Sequence, residues 1–341
     1  MNEQRIIISD PSLRDGNHAV KHELSIEQIA SYCKAADAAG VAIVEVGHGN
    51  GLGASSLQLG EARTPDHLAL STARANLTTS KLGIHVIPGF ATIERDLKPA
   101  IELGVDVVRV ASHCTEADIC ERHIGFARGM GVEVWGCLMM SHMISPTLLL
   151  EQARKMESYG AEGVVFMDSA GHYLPDDVRQ RVELLASELS ISVGFHGHNN
   201  LGLAIANSIA AADAGATLLD ACARGFGAGA GNTQIEVLIA VLDRLGYSTG
   251  VNLYKILDAA DLAEKMLMKE VPTIKSVSVV SGMAGVFSGF MRPVTRIAQE
   301  FDIDPRDIFF ELGRRKIVAG QEDIILEVAK DLARRAMKGT K

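Results

Sequence analysis

Short runs of apolar and β-branched residues recur along the chain roughly every 25 to 40 residues, each bounded by glycine, proline or polar turn formers. Eight such runs occupy 6–9, 41–47, 82–87, 105–111, 132–139, 163–168, 192–196 and 217–223. Each is near-continuously apolar, as expected of parallel strands covered on both faces. The stretches between them carry helical spacing. One opens at Ser25 with Gln28 three residues on, a capping box, places Ile26, Ile29, Ala30 and Cys33 on one face and stops at Gly40. Another opens with Ser145-Pro146, an N-cap followed by proline at the first helical position, and ends at Gly160. Further helices are predicted at 65–77, 93–103, 116–130, 175–189, 201–214 and 233–245.

Eight consecutive strand–helix units over residues 1–245 predict an α/β fold, the (β/α)8 TIM barrel, with a doubly wound open sheet as the alternative. The rhythm breaks after Gly246. A helix at 254–268 is followed by Val271-Pro272, an extended serine-rich stretch at 276–281 and amphipathic helices at 294–301, 305–315 and 323–337. This divides the chain at Pro272 into a barrel domain, 1–272, and a small helical C-terminal domain, 273–341. The second is either a structural cap on the barrel or a partner-binding module.

Composition narrows the chemistry. At 341 residues the chain exceeds the usual ceiling of about 250 residues for one core, in keeping with a barrel plus an appendage. A net charge of −9 repels phosphate backbones and anionic lipid, which argues against nucleic-acid and membrane partners. Five cysteines without a C-x-x-C pair, and no apolar leader at the N-terminus, point to a reduced, cytoplasmic protein.

Barrel enzymes build their sites at the C-terminal ends of the strands, so the polar residues there are the candidates. Seven of eleven histidines, His18, His48, His113, His142, His172, His196 and His198, fall at or just after a predicted strand end. In His196-Gly197-His198 the two imidazoles are two residues apart, so in an extended chain both point to one side and can reach one ion. The end of the first strand adds Asp15. Two imidazoles and one carboxylate leave open positions on a divalent ion, and suit Mn2+, Mg2+ or Zn2+. Arg14 beside Asp15 supplies a fixed cation for an enolate or a carboxylate, or else a structural ion pair. An unperturbed imidazole titrates at about pH 6.5, and His18 is close enough in sequence to serve as general base.

No predicted strand ends in a lysine, so a Schiff-base aldolase is disfavoured against metal chemistry. The loop 225–232 contains a G-x-G-x-x-A pattern, but it follows the eighth strand instead of opening a βαβ unit. Close backbone packing at the rim, or amides facing an anionic substrate, explains it better than dinucleotide binding.

The set Leu13-Arg14-Asp15-Gly16 with His18, Glu45-Val46-Gly47-His48-Gly49, Leu138-Met139-Met140-Ser141-His142, Met167-Asp168-Ser169-Ala170-Gly171, Phe195-His196-Gly197-His198-Asn199-Asn200, the loop 227–232 and Gly320-Gln321-Glu322-Asp323 closely resembles the bacterial 4-hydroxy-2-oxovalerate aldolases. These are pyruvate-specific class II aldolases of the DRE-TIM metallolyase superfamily, and the resemblance runs nearly end to end. It implies a carbon–carbon lyase that cleaves a 4-hydroxy-2-oxo acid to pyruvate and an aldehyde through a metal-stabilised enolate. By the same resemblance Asp15, His196 and His198 hold the divalent ion, usually Mn2+, with Mg2+ or Co2+ as alternatives. Arg14 would stabilise the enolate, Ser169 would seat the carboxylate, and His18 would take the proton from the C4 hydroxyl. Asn232 matches a position that reaches the metal in related lyases. The resemblance also implies an oligomer, and a tail that packs against an acylating aldehyde dehydrogenase and passes it the aldehyde.

Two positions depart from the family pattern. Phe287 stands in Gly285-Val286-Phe287-Ser288-Gly289-Phe290 where the family has an active-site tyrosine, so this substrate-facing position lacks a hydroxyl. Ala319-Gly320 replaces the usual Gly-Gly before Gln321-Glu322-Asp323. The Phe287 departure leaves a second reaction open on the same barrel, a Claisen-type condensation of an acyl-CoA with a 2-oxo acid.

Overall fold

In the computed structural model, which describes residues 5–318 and 320–339, eight parallel strands close a barrel in chain order. They are β1 Ile7–Leu13, β2 Ile43–Val46, β3 Lys81–Val86, β4 Val107–His113, β5 Glu133–Met139, β6 Gly163–Asp168, β7 Ser192–Gly197 and β8 Leu218–Asp220. Every predicted strand is present. The open-sheet alternative fails on one pairing, because β1 pairs with β8 as well as with β2, with Ser9 opposite Asp220 on one side and Ile43 on the other. The departure of Ala319 from the family pattern lies outside the described residues.

The helix punctuation acts as its chemistry requires. The Ser25 hydroxyl accepts from the Gln28 amide and the Gln28 side chain accepts from the Ser25 amide, so the helix Ile26–Ala39 starts with both orphan donors satisfied. It ends at Gly40, whose φ of 83° a side chain would resist. Ser145 caps Pro146–Ser158 in the same way, through the Leu148 amide.

Alternation along each strand sorts the barrel into two environments. Outward residues such as Val44, Leu82, Val108 and Val134 join the core beneath the surrounding helices. Inward residues Ile43, Val107, Trp135, Val165 and Leu218 form a separate apolar floor. Two residues further along three of those strands, at the same inward phase, stand Glu45, Arg109 and Asp220, each fully or almost fully buried. The barrel interior is thus apolar below and charged above, toward the strand ends that carry the site.

The tail has its own core of Val286, Phe290, Val294, Ile297, Ile308, Phe309, Leu312, Ile325 and Val328. Its helices are Met291–Phe301, Pro305–Arg314 and Asp323–Gly339. One expectation is overturned here. The stretch 276–281 is not extended but forms the helix Ser276–Ala284. Its small residues are what fooled the composition reading: Ser278, Ser281 and Gly282 face inward, and a Cβ on Gly282 would lie 2.9 Å from the Leu201 side chain, so the helix can lie close on the rim. Among the described residues no helix is long and apolar enough to cross a membrane.

Candidate functional site

The exit of β1 brings Arg14 and Asp15 to the rim. The pairing of β1 with β2 becomes irregular between Asp10 and Leu13, and the chain then folds over the Pro11 carbonyl, which accepts from both the Arg14 and Asp15 amides at 3.0 and 2.7 Å. At the end of β7, Met167 lies opposite His196, and the His198 amide reaches the Asp168 carbonyl at 3.3 Å. The imidazoles of His196 and His198 are 5.1 Å apart, and with Asp15 they offer three ligand atoms all within 4.8 Å of one another.

All three side chains are buried, and their outer contacts fit a metal centre. His196 donates through Nδ1 to Asp220 Oδ2 at 2.9 Å, which fixes the tautomer and leaves the Nε2 lone pair for an ion. His198 Nδ1 and Asn232 Oδ1 are buried without a hydrogen-bond partner among the described residues, an arrangement that costs stability unless something binds there. Asp15 Oδ1 accepts from Arg14 Nη1 at 2.8 Å, while Oδ2 accepts from Asn232 Nδ2 at 2.7 Å. Burial alone would raise the Asp15 carboxyl. The Arg14 guanidinium, aided by His198, His18 and His196, instead holds it well below the usual carboxylate range. Burial lowers His198 to about 4, so its imidazole is a neutral donor at pH 7.

Arg14 is clamped on three sides. Its Nε donates to Glu45 Oε1 at 2.5 Å, and Nη1 donates to Asp15 and to the Gly49 carbonyl. The remaining nitrogen, Nη2, is buried without a partner among the described residues, so one donor is left for a bound anion. His18 sits on the short helix Gly16–Ala19, and burial, opposed by Asp15, lowers it to about 4. Ser169 Oγ accepts from the Met140 amide at 3.0 Å, leaving its own hydrogen to donate outward. Phe287 belongs to the tail, and its ring packs on the tail's own core. The Ser288 amide bonds the Ser169 carbonyl at 2.9 Å, and the Phe287 ring meets Phe290 edge-on at 5.8 Å.

The other rim histidines do not join the donor set. His48 stacks on His22 at 3.6 Å and donates to the Gly60 carbonyl, and His113 pairs with Thr115. His142 and His172 donate to the carbonyls of Gly285 and Gly282, fastening the tail's first helix to the barrel. The histidines grouped on one rim thus differ in what they meet, the candidate donor set for His196 and His198 and the tail for His142 and His172. The glycine loop 225–232 packs its backbone against the site, with the Ala228 amide on Asp15 Oδ2 at 3.2 Å and the Ala230 amide on Asn200 at 2.9 Å.

Sequence reasoning gave no role to Glu45, Arg109, Asp220 or His85. The signal available was a lone ionisable residue inside an otherwise apolar strand, as in Val107-Val108-Arg109-Val110. Such a residue is buried at a cost and needs a reason.

Comparison with known proteins covers both parts of the chain. Residues 5–263 match the HMGL-like family and residues 272–334 the DmpG-like communication domain. A 4-hydroxy-2-oxovalerate aldolase of Spirochaeta aurantia is 63% identical over 334 residues, covering 98% of each chain. One from Pectobacterium atrosepticum is 61% identical over 332 residues, covering 97% of each. The carboxyl transferase domain of Rhizobium etli pyruvate carboxylase superimposes with a TM-score of 0.80 over 98% of this chain and 61% of that one, at 13% identity, a likeness of fold alone.

Proposed function

The chain belongs to the HMGL-like family, among its 4-hydroxy-2-oxovalerate aldolases, and from that premise we propose how its residues divide the reaction. The enzyme is a lyase that cleaves a 4-hydroxy-2-oxo acid to pyruvate and an aldehyde. The observation that carries the residue assignments is the joint burial of Asp15, His196 and His198 around one point, beside a guanidinium with a free donor.

Asp15, His196 and His198 hold a divalent ion, Mn2+ in preference to Mg2+ or Co2+, with the free oxygen of Asn232 as a further candidate ligand. When bound, that ion supplies a Lewis acid for the 2-oxo oxygen. Arg14, with Nη2 buried and unpartnered among the described residues, would stabilise the negative charge that develops as the C3–C4 bond breaks. Its orientation is set beforehand by Glu45, Asp15 and the Gly49 carbonyl, so little reorganisation is needed in the transition state. His18, neutral at pH 7, takes the C4 hydroxyl proton. The electrons of the C3–C4 bond become the enolate, the C4 carbon leaves as aldehyde, a proton from water at C3 gives pyruvate, and His18 returns its proton to solvent. Ser169 donates to the substrate carboxylate. Phe287 presents an apolar edge where a tyrosine would offer a hydroxyl, so the C4 substituent is sorted by shape.

Residues 1–272 act as the catalytic domain. The helical domain, 273–341, docks an acylating aldehyde dehydrogenase that receives the aldehyde within a larger assembly. The separate hydrophobic core of the tail and its match to a communication domain support this part. The test is pyruvate release from 4-hydroxy-2-oxovalerate, followed with lactate dehydrogenase and NADH. Release with Mn2+ and its loss with chelator are expected. Metal-independent release would defeat the metal assignment, and no release from any 4-hydroxy-2-oxo acid would defeat the substrate.

A further inference from the structure

Arg109 lies in the barrel's centre, fully buried and outside the set of residues given roles above. Its Nη1 donates to Glu45 Oε2 at 3.0 Å and to Ser9 Oγ at 3.3 Å, and its Nη2 donates to Asp220 Oδ2 at 2.6 Å. One guanidinium on β4 thus ties together β1, β2 and β8. The two carboxylates it bridges are not idle. Glu45 uses its other oxygen to hold Arg14 Nε, and Asp220 uses the same Oδ2 to hold His196 Nδ1. Asp220 Oδ1 has no partner among the described residues, so a single oxygen carries both the Arg109 and the His196 bonds.

On the reading that Asp15, His196 and His198 hold a divalent ion, we propose that Arg109 is a positioning residue that fixes the metal ligand His196 through Asp220 and the enolate-stabilising Arg14 through Glu45. The planar fork of a guanidinium is what makes one side chain able to serve both carboxylates at once. The bonds run from Asp15 through Arg14, Glu45, Arg109 and Asp220 to His196, and the first and last members belong to the donor set. Removing Arg109 leaves two carboxylates buried without their common partner. Asp220 then loses the contact that orients its Oδ2, and the imidazole that oxygen aims is free to rotate. An ordinary buried ion network that merely fills the interior would affect folding and leave the metal centre as it was.

The test uses the full-length protein, stripped of metal and titrated with Mn2+ alone by calorimetry and by the electron paramagnetic resonance of the ion. Arg109→Lys keeps the charge but cannot bridge both carboxylates. It is expected to retain the circular dichroism of the unaltered chain and to weaken Mn2+ binding by about 10–100-fold, the usual cost of losing a residue that orients a ligand. Asp220→Asn should do the same, and the double variant should be no weaker than the weaker single. Should Arg109 variants fail to fold, the pair Glu45→Gln and Asp220→Asn serves instead. Among the described residues Arg109 is the hydrogen-bonded link between those two sites, so their effects on Mn2+ affinity should be non-additive. A folded Arg109→Lys that binds Mn2+ within about twofold of the unaltered chain, or losses that simply multiply in the double variants, would overturn the proposal alone. An unaltered chain that binds no Mn2+ would overturn the metal reading and this one with it.

Discussion

Asn232 and Asp15, 217 positions apart in the chain, share a 2.7 Å hydrogen bond from Nδ2 to Oδ2. The bond fixes one oxygen of the carboxylate from the loop after β8, while Arg14 fixes the other from the carboxylate's own side. The barrel closes at this place, and the closure sets where the Asp15 carboxylate stands. Gly227 makes the approach feasible, since a Cβ there would lie 2.2 Å from Asn232 Nδ2 and 2.5 Å from Asp15 Oδ2. Gly227→Ala should therefore push these two groups apart without straining a left-handed backbone. The expected cost is about 1–3 kcal/mol of stability from overpacking, with a loss of metal affinity of about tenfold or more, comparable to disturbing an outer-shell contact. Urea unfolding and metal titration check it, and unchanged affinity would mean that Asp15 is not placed by this contact.

His18→Ala should lower turnover by about 100-fold or more, the usual effect of losing a general base, and leave metal content unchanged. Loss of the metal in that variant would make His18 a ligand instead. Burial disfavours the imidazolium and lowers His18 to about 4, so the base form prevails above that pH. The rate should fall as pH drops toward about 4, where His198 also takes up a proton, so metal content is followed beside the rate, and the part of the fall seen with metal still bound is what His18→Ala should remove.

Acidification should also unfold the metal-free chain early. His18, His22, His85, His142 and His198 are all lowered, to about 3 or 4, by burial. Below pH 6.5 the unfolded chain takes up protons that the folded chain refuses, so stability falls as pH falls. Asp10 and Asp168, raised by burial to about 6, act in the opposite direction between pH 4 and 6, because they are protonated in the folded state first. Five such histidines outweigh two carboxylates, so the net effect is a loss of stability as pH falls through that window. Urea midpoints at pH 7, 6 and 5 with chelator present should decline in that order. A flat series would show that these histidines are not buried in neutral form.

Phe287→Tyr should leave folding intact, since the ring is only partly buried and the change adds a single oxygen to it. It should change the ratio of kcat/KM between two 4-hydroxy-2-oxo acids that differ at C4 by roughly 10-fold or more, the scale on which a pocket distinguishes small substituents. An unchanged ratio, measured by competition in one reaction, would place position 287 away from the substrate.

Much of this protein is written in local sequence. Eight apolar runs and the caps at Ser25 and Ser145 specify strands and helices through contacts within a few residues, and those elements stand close to where the pattern places them. The spacing of His196 and His198 also carries its meaning locally, because two residues along a strand return to the same side. The stretch 276–281 was illegible because its helix is selected by packing on the rim, where Gly282 lies close to Leu201.

Tertiary closure alone decided the rest. Which of seven rim histidines serve the site and which fasten the tail depends on what lies across the rim, Asp15 for His198 or Gly285 for His142, and no periodicity encodes a partner a hundred or more residues away. Glu45, Arg109 and Asp220 read singly as charges misplaced in apolar strands. Their place is set when β1 meets β8, for only then do the three inward positions come within hydrogen-bond reach and offset one another's burial.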